Sequence, residues 1–138
     1  MDIQAACYPL CLHEDIGVYE SIWRHYPQGC KIDAQKRGYL FVHPIPNVDA
    51  IPLLNTVYEP SDTHTHILCV RDIAVHPIHR GVGVARDLLR MIDFSNAEAV
   101  VAVAIDQDAI DFWKHQGFEE HPSKHVAYGK VLVKRQKI

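Results

Sequence analysis

The segment Arg80-Gly81-Val82-Gly83-Val84-Ala85 carries the clearest chemistry in the chain. An apolar run ending at Val75 precedes it, and Val84, Leu88, Leu89 and Ile92 follow with helical spacing. A glycine loop between a strand and a helix suits an anion. The first N–H groups of a helix lack intrahelical partners, and the helix dipole adds partial positive charge there. Gly81 and Gly83 omit two Cβ atoms, so a phosphate can approach the backbone closely. Arg80 can add a charge-assisted hydrogen bond. Two familiar phosphate loops do not fit. The dinucleotide fingerprint needs a third glycine where Arg86 stands, and the Gly-Lys-Ser/Thr of the P-loop is absent. What remains is the run Arg80-x-x-Gly83-x-Ala85.

Several ionisable residues lie just upstream. Cys69, Arg71 and Ile73 share one face of a strand by alternation, and Asp72 faces the other way. Arg71 stays protonated, so it suits gripping a substrate carboxylate and cannot act as a base. Cys69 also reads as a small buried hydrophobe, and Asp72 as a structural hydrogen-bonding group. Tyr128, in a late strand, reads as core packing. The ten histidines raise the question of a metal. His64 and His66 are two apart and would share a face if that segment were a strand, and His76 and His79 flank Pro77, but two ligands do not make a site. No metal is expected.

The elements that must hold these residues can be traced by periodicity. Ile16, Tyr19, Ile22 and Trp23 predict an amphipathic helix over about 14–25, ended by Pro27 and Gly29. Tyr39–His43 reads as a compact strand stopped by Pro44 and Pro46, and 48–60 gives no clear element because Pro52 interrupts it. A long strand is expected over 66–75, then the glycine loop and a helix to about Ser95. The apolar run Ala99–Ile105 predicts a strand buried on both faces. A short helix follows with Ala109, Ile110, Phe112 and Trp113, closed by Gly117 as a left-handed cap. Val126–Val133 completes the series as a strand. The order implies an α/β or α+β fold with at least one crossover unit.

Bulk properties bound the function classes. With 138 residues, the chain fits one domain, 1–138. Apolar residues make up 48% and charged residues 22%, an ordinary globular balance. A net charge of -3 argues against nucleic-acid binding, and the basic tail Lys134-Arg135-Gln136-Lys137 reads as a solvated terminus. The four cysteines, Cys7, Cys11, Cys30 and Cys69, form no Cys-x-x-Cys pair, so reduced thiols in a cytoplasmic protein are expected. The apolar stretch Ile3–Leu12 lacks a basic flank, so no signal peptide is expected. No apolar run approaches the ~20 residues of a membrane span.

Taken together, Arg80-x-x-Gly83-x-Ala85, its lead-in Asp72-Ile73-Ala74-Val75-His76-Pro77 and the later run Ala109-Ile110-Asp111-Phe112-Trp113-Lys114-His115-Gln116-Gly117-Phe118 resemble the GNAT superfamily of acyl-CoA-dependent N-acyltransferases. Order and spacing of the signatures agree with that family. The resemblance implies a mixed, mostly antiparallel sheet with a splayed parallel strand pair flanked by helices. It implies acetyl-CoA as cosubstrate, with Arg80, Gly81, Val82, Gly83, Val84 and Ala85 on the pyrophosphate. Ile73, Ala74 and Val75 would pair with the pantetheine arm, Asp106 or Gln107 would lie near it, and Phe112 and Trp113 would flank the thiol. The reaction implied is direct attack of a primary amine, on a small molecule or peptide, upon the thioester; a homodimer would be in keeping with relatives. The chain departs from the family at two places. Trp113 stands where a tyrosine acid is usual, and Arg71 where a base often sits. The catalytic candidates are therefore Arg71, Asp72 and Cys69, and the alternative reading is a catalytically weak acyl-CoA sensor of the same fold.

Overall fold

The computed structural model describes residues 14–60, 66–126 and 129–135, with the backbone alone given for 122–126. The segment Ile3–Leu12, the thiols Cys7 and Cys11, and His64, Tyr128, Gln136 and Lys137 lie outside the described residues. The described elements are helix α1 (Ile16–His25), strands β1 (Cys30–Ile32), β2 (Gly38–Ile45) and β3 (Ile67–Val75), helix α2 (Val84–Arg90), strand β4 (Ala99–Ala104), helix α3 (Gln107–His115), and strands β5 (Glu119–Val126) and β6 (Gly129–Arg135). One six-stranded sheet runs in the order β1-β2-β3-β4-β6-β5. The pair β3–β4 is parallel, while β1–β2, β4–β6 and β5–β6 are antiparallel. This is the mixed, mostly antiparallel sheet that the resemblance implies.

By contacts the chain forms two compact units. Among the described residues, the first comprises 14–43, 52–60 and 71–93; the second comprises 44–51, 66–70, 94–126 and 129–135. In the first unit, Val18 and Ile22 of α1, Leu40 and Val42 of β2, and Leu88 of α2 are buried to within 1%. Their spacing explains the elements: Val18 and Ile22 are four apart on a helix, and Leu40 and Val42 two apart on a strand. Removing these side chains from water is the main favourable contribution to folding. In the second unit, Ile45, Cys69, Ala99, Val101, Val131 and Val133 form one buried cluster. β4 is an inner strand there. Ala99, Val100, Val101, Ala102 and Ala104 are all buried, as its unbroken apolar run requires.

The parallel register pairs Ile67, Leu68 and Cys69 with Ala99, Val100 and Val101. Strand β3 then runs on to Val75, and its residues 71–75 belong to the first unit.

Several elements differ from the sequence expectation. Helix α2 stops at Arg90 instead of Ser95 because Met91 and Ile92 turn back onto Leu88 and Leu89 with three-residue hydrogen bonds. The following Asp93, Ser95 and Asn96 are poor helix formers. Helix α3 begins earlier, at Gln107, because Asp106 caps it by accepting from the Ala109 N–H at 2.8 Å. Val126 ends β5, and the last strand runs over Gly129–Arg135. Strand β1 has three residues, too few for its alternation to announce it, and β5 has no apolar alternation. β5 reads Glu-Glu-His-Pro-Ser-Lys-His-Val, and Pro122 is tolerated because the strand is at the sheet edge. Gly117 does adopt the expected left-handed conformation, with φ at 92°.

Two glycines test the packing. A Cβ at Gly29 would overlap the Val42 carbonyl oxygen and the Tyr26 ring. One at Gly17, inside α1, would meet nothing within 4 Å. Gly29→Ala is expected to lower the unfolding free energy by about 2–3 kcal/mol. Gly17→Ala is expected to raise it by about 0.5–1 kcal/mol, through helix propensity and a less flexible unfolded chain. Urea titrations of both variants check the pair of signs.

Candidate active site

Strand β3 enters the glycine loop through a single 3-10 turn, Pro77–His79. His76 caps that turn, its Nδ1 accepting from the Ile78 N–H at 3.3 Å. An acceptor Nδ1 places the proton of a neutral ring on Nε2. Arg80 folds back, and its Nε donates to the Val75 carbonyl at 3.1 Å. Gly81 and Gly83 both take φ of 86°, and Gly83 is the N-cap of α2. This left-handed backbone is why glycine stands at both places. A Cβ at Gly81 would meet nothing within 4 Å, so the backbone there is open to a ligand. At Gly83 a Cβ would meet only the flexible end of Arg86. The stretch 79–90 also holds Arg80, Arg86 and Arg90 against one carboxylate, Asp87. Helix α2 has seven residues, so its dipole is small. Loop backbone and arginines make this segment suited to a phosphate, which fits the pyrophosphate that the resemblance implies.

Arg71 and Asp72 sit next to Ile73 on the same strand, and each is tied into a network within the first unit. Arg71 Nε donates to Glu14 Oε1 at 2.8 Å, with the two side chains 4% and 6% exposed. Its Nη2 donates to the carbonyls of Leu53 (3.3 Å) and Thr56 (2.6 Å). Its Nη1 lies 3.3 Å from His43 Nε2. A guanidinium has no acceptor, so His43 Nε2 must accept and the ring is the neutral Nδ1–H tautomer. His43 is itself buried and stacks on Tyr58, with centroids 4.7 Å apart. Asp72 Oδ2 accepts from Tyr19 at 2.7 Å and Tyr39 at 2.8 Å. Tyr19 and Tyr39 also meet edge to face, and Phe41 packs against both rings.

The remaining candidates are placed as follows. Ile73 is half-buried, and Ala74 and Val75 are buried. Val82 is 65% exposed, Val84 is buried, and Ala85 is half-buried. Cys69 is 2% exposed within the core cluster of the second unit. In that unit Asp106 caps α3, and Gln107 donates to Asp111 at 2.8 Å. Trp113 is 3% exposed, with its ring 5.1 Å from Phe112 and 4.8 Å from Phe118. The structure thus brings Arg71, Asp72, Ile73, Val75 and Arg80–Ala85 together in one unit. Sequence reasoning missed Glu14, Tyr19, Tyr39 and His43. Alternation on β2 could have flagged Tyr39 and His43, but nothing local connects Glu14 to Arg71.

A family model described as an acetyltransferase (GNAT) domain matches residues 50–120, just over half of the chain. The chain therefore belongs to the GNAT acetyltransferase family. Solved structures agree in fold. Naa20 of Chaetomium thermophilum, solved with a bisubstrate analogue, aligns at TM-score 0.64 and 16% identity over 97% of this chain and 80% of its own. The GphF GNAT-like decarboxylase, solved with isobutyryl-CoA, aligns at 0.66 and 15% over 96% and 91%. The loading GNATL domain of CurA from Lyngbya majuscula aligns at 0.66 and 17% over 96% and 89%. No curated protein matches the chain. Among the described residues, no helix is long and apolar enough to cross a membrane.

The Tyr19–Asp72 contact has a pH signature. Burial, then the Asp72 charge, pushes the Tyr19 hydroxyl well above its ordinary value of 10.0. The folded state then holds this proton more tightly than the unfolded chain does. Its contribution to stability is complete below pH 10 and is lost as pH rises beyond it. Unfolding free energies measured from pH 8 upward should fall above about pH 10, and Tyr19→Phe should flatten that fall.

Proposed function

We propose that the protein is an N-acetyltransferase that passes an acetyl group from acetyl-CoA to a primary amine of a small molecule or peptide. The observation that carries this reading is the Arg80–Ala85 loop, left-handed at Gly81 and Gly83, inside the region that the GNAT family model matches. Arg80, Gly81, Val82, Gly83, Val84 and Ala85 would hold the pyrophosphate, and Ile73, Ala74 and Val75 would align the pantetheine arm. Acetyl-CoA supplies an activated thioester, and a thiol is a tolerable leaving group near neutral pH. The protein's part is then mainly to hold the reacting groups in line.

Proton handling falls to few groups. Arg71 stays protonated and is bound to Glu14. Tyr19 keeps its proton because its pKa is pushed up, so it can donate a hydrogen bond but not abstract a proton. Asp72 is the acidic candidate beside Ile73 whose carboxylate can accept a proton, directly or through water. We place it in that role ahead of Cys69, which is buried in a core. The chain is read as one acyltransferase domain acting in the cytoplasm, without nucleic acid, metal or membrane.

Two measurements test the reading. Incubation with acetyl-CoA and a panel of amines and peptide N-termini should release free CoA thiol with at least one acceptor. Tight CoA binding with no thiol release would favour the acyl-CoA sensor instead. Gly83→Asp should weaken CoA binding by at least about 100-fold, because a carboxylate would stand against the phosphates. The fold should persist, since the new Cβ meets only a movable Arg86 side chain and Asp tolerates the left-handed region. Calorimetric titration with CoA, beside circular dichroism of the variant, checks both parts.

A further inference from the structure

The stretch 52–60 contains no helix or strand, so its backbone groups must find partners elsewhere. They find them in the first unit. The Leu53 and Thr56 carbonyls accept from Arg71 Nη2. The Asn55 N–H donates to Glu14 Oε2 at 2.6 Å, and Asn55 Oδ1 accepts from the Asp15 N–H at 2.9 Å. The Tyr58 N–H donates to Ser21 Oγ at 2.9 Å, and the Tyr58 ring lies on His43. Asn55 makes the turn possible with φ at 66°, a conformation asparagine tolerates. The Glu14–Arg71 ion pair is the hub, because each of its partners also binds the 52–60 backbone.

We infer that Arg71 is a positioning residue which, with Glu14, straps residues 52–60 beside strand β3 and so shapes one wall of the acceptor site. This rests on the amine-acceptor reading above. Arg71 stands two residues before Ile73, about 7 Å along the strand. The strap is therefore anchored next to the backbone proposed to align the thioester. Its backbone is tied inward while Leu53 and Val57 remain 72% and 48% exposed, so its outer side is available to a substrate. A direct grip on a substrate carboxylate would draw on the same N–H groups. Those at Nε, Nη1 and Nη2 already face Glu14, His43 and two carbonyls.

The test compares Arg71→Gln, Glu14→Gln and the double variant, with Arg71→Lys and Ser21→Ala as milder changes in case the first set folds poorly. Amide exchange at Asn55 and Tyr58 should quicken by about tenfold, with α2 and β4 unchanged. Acceptor KM should rise by about tenfold in each Gln variant while CoA affinity stays within about twofold. The double variant should be no worse than either single one, since both break one hub. Ser21→Ala should move the same readouts less. Unchanged exchange at Asn55 and Tyr58 would overturn the strap. So would a KM effect confined to Arg71 variants, or additive effects, because Arg71 would then be touching the acceptor itself. If the wild type releases no thiol with any amine, the transfer reading fails, and exchange alone decides whether the strap exists.

Discussion

A carboxylate and a guanidinium can leave water together only if nearly all their hydrogen-bonding capacity is answered. Glu14 and Arg71 meet that condition, and much of the first unit is arranged to let them. The carboxylate takes one bond from Arg71 and one from the Asn55 backbone. The guanidinium spends its other groups on His43 and on two carbonyls of a segment with no ladder of its own. Removal of either charge would leave the other stranded in a poorly solvated place. The pair therefore acts less as a source of net stability than as a device that specifies one arrangement of the chain around it. Asp72, the next residue, does a similar job with neutral donors by joining Tyr19 of α1 and Tyr39 of β2. Two adjacent residues of β3 thus fix the strand just before the backbone that a cofactor would use.

Legibility in the sequence followed the range of the interaction. β4 was readable because burial on both faces demands an unbroken apolar run. The glycine loop was readable because left-handed backbone at Gly81 and Gly83 restricts the residue type directly. The cap at Asp106 and the glycine at 117 are local in the same sense. β1 and β5 were not readable. Both lie at the edges of the sheet, where half the strand's surroundings is solvent and no alternation is enforced. The hub was the least visible part. Glu14 and Arg71 are 57 residues apart, and no periodicity connects them. From the sequence Arg71 reads as a carboxylate grip and as a departure from its family, and the segment that explains it, 52–60, has no pattern to read.

The chain also solves an electrostatic mismatch. A protein of net charge -3 would not attract a polyanion by its overall field. The stretch 79–90 reverses the sign locally with Arg80, Arg86 and Arg90. Arg86 and Asp87 approach to 3.6 Å, but both side chains are half exposed, so that contact is weak. Arg80 is oriented by the Val75 carbonyl instead of by a counter-charge. Its full positive charge thus remains available at the loop, while the orientation costs no neutralisation.

The two tryptophans divide between the two units in a useful way. Trp23 lies in the first unit and is 65% exposed, whereas Trp113 lies in the second and is 3% exposed. Their indoles sit in different solvents, so their emission separates without labelling. An aqueous quencher such as iodide will reach Trp23 in the native protein and Trp113 only after its packing with Phe112 and Phe118 is lost. The protein thus contains one intrinsic optical reporter for each unit, and a single fluorescence titration can ask whether the two lose their order together.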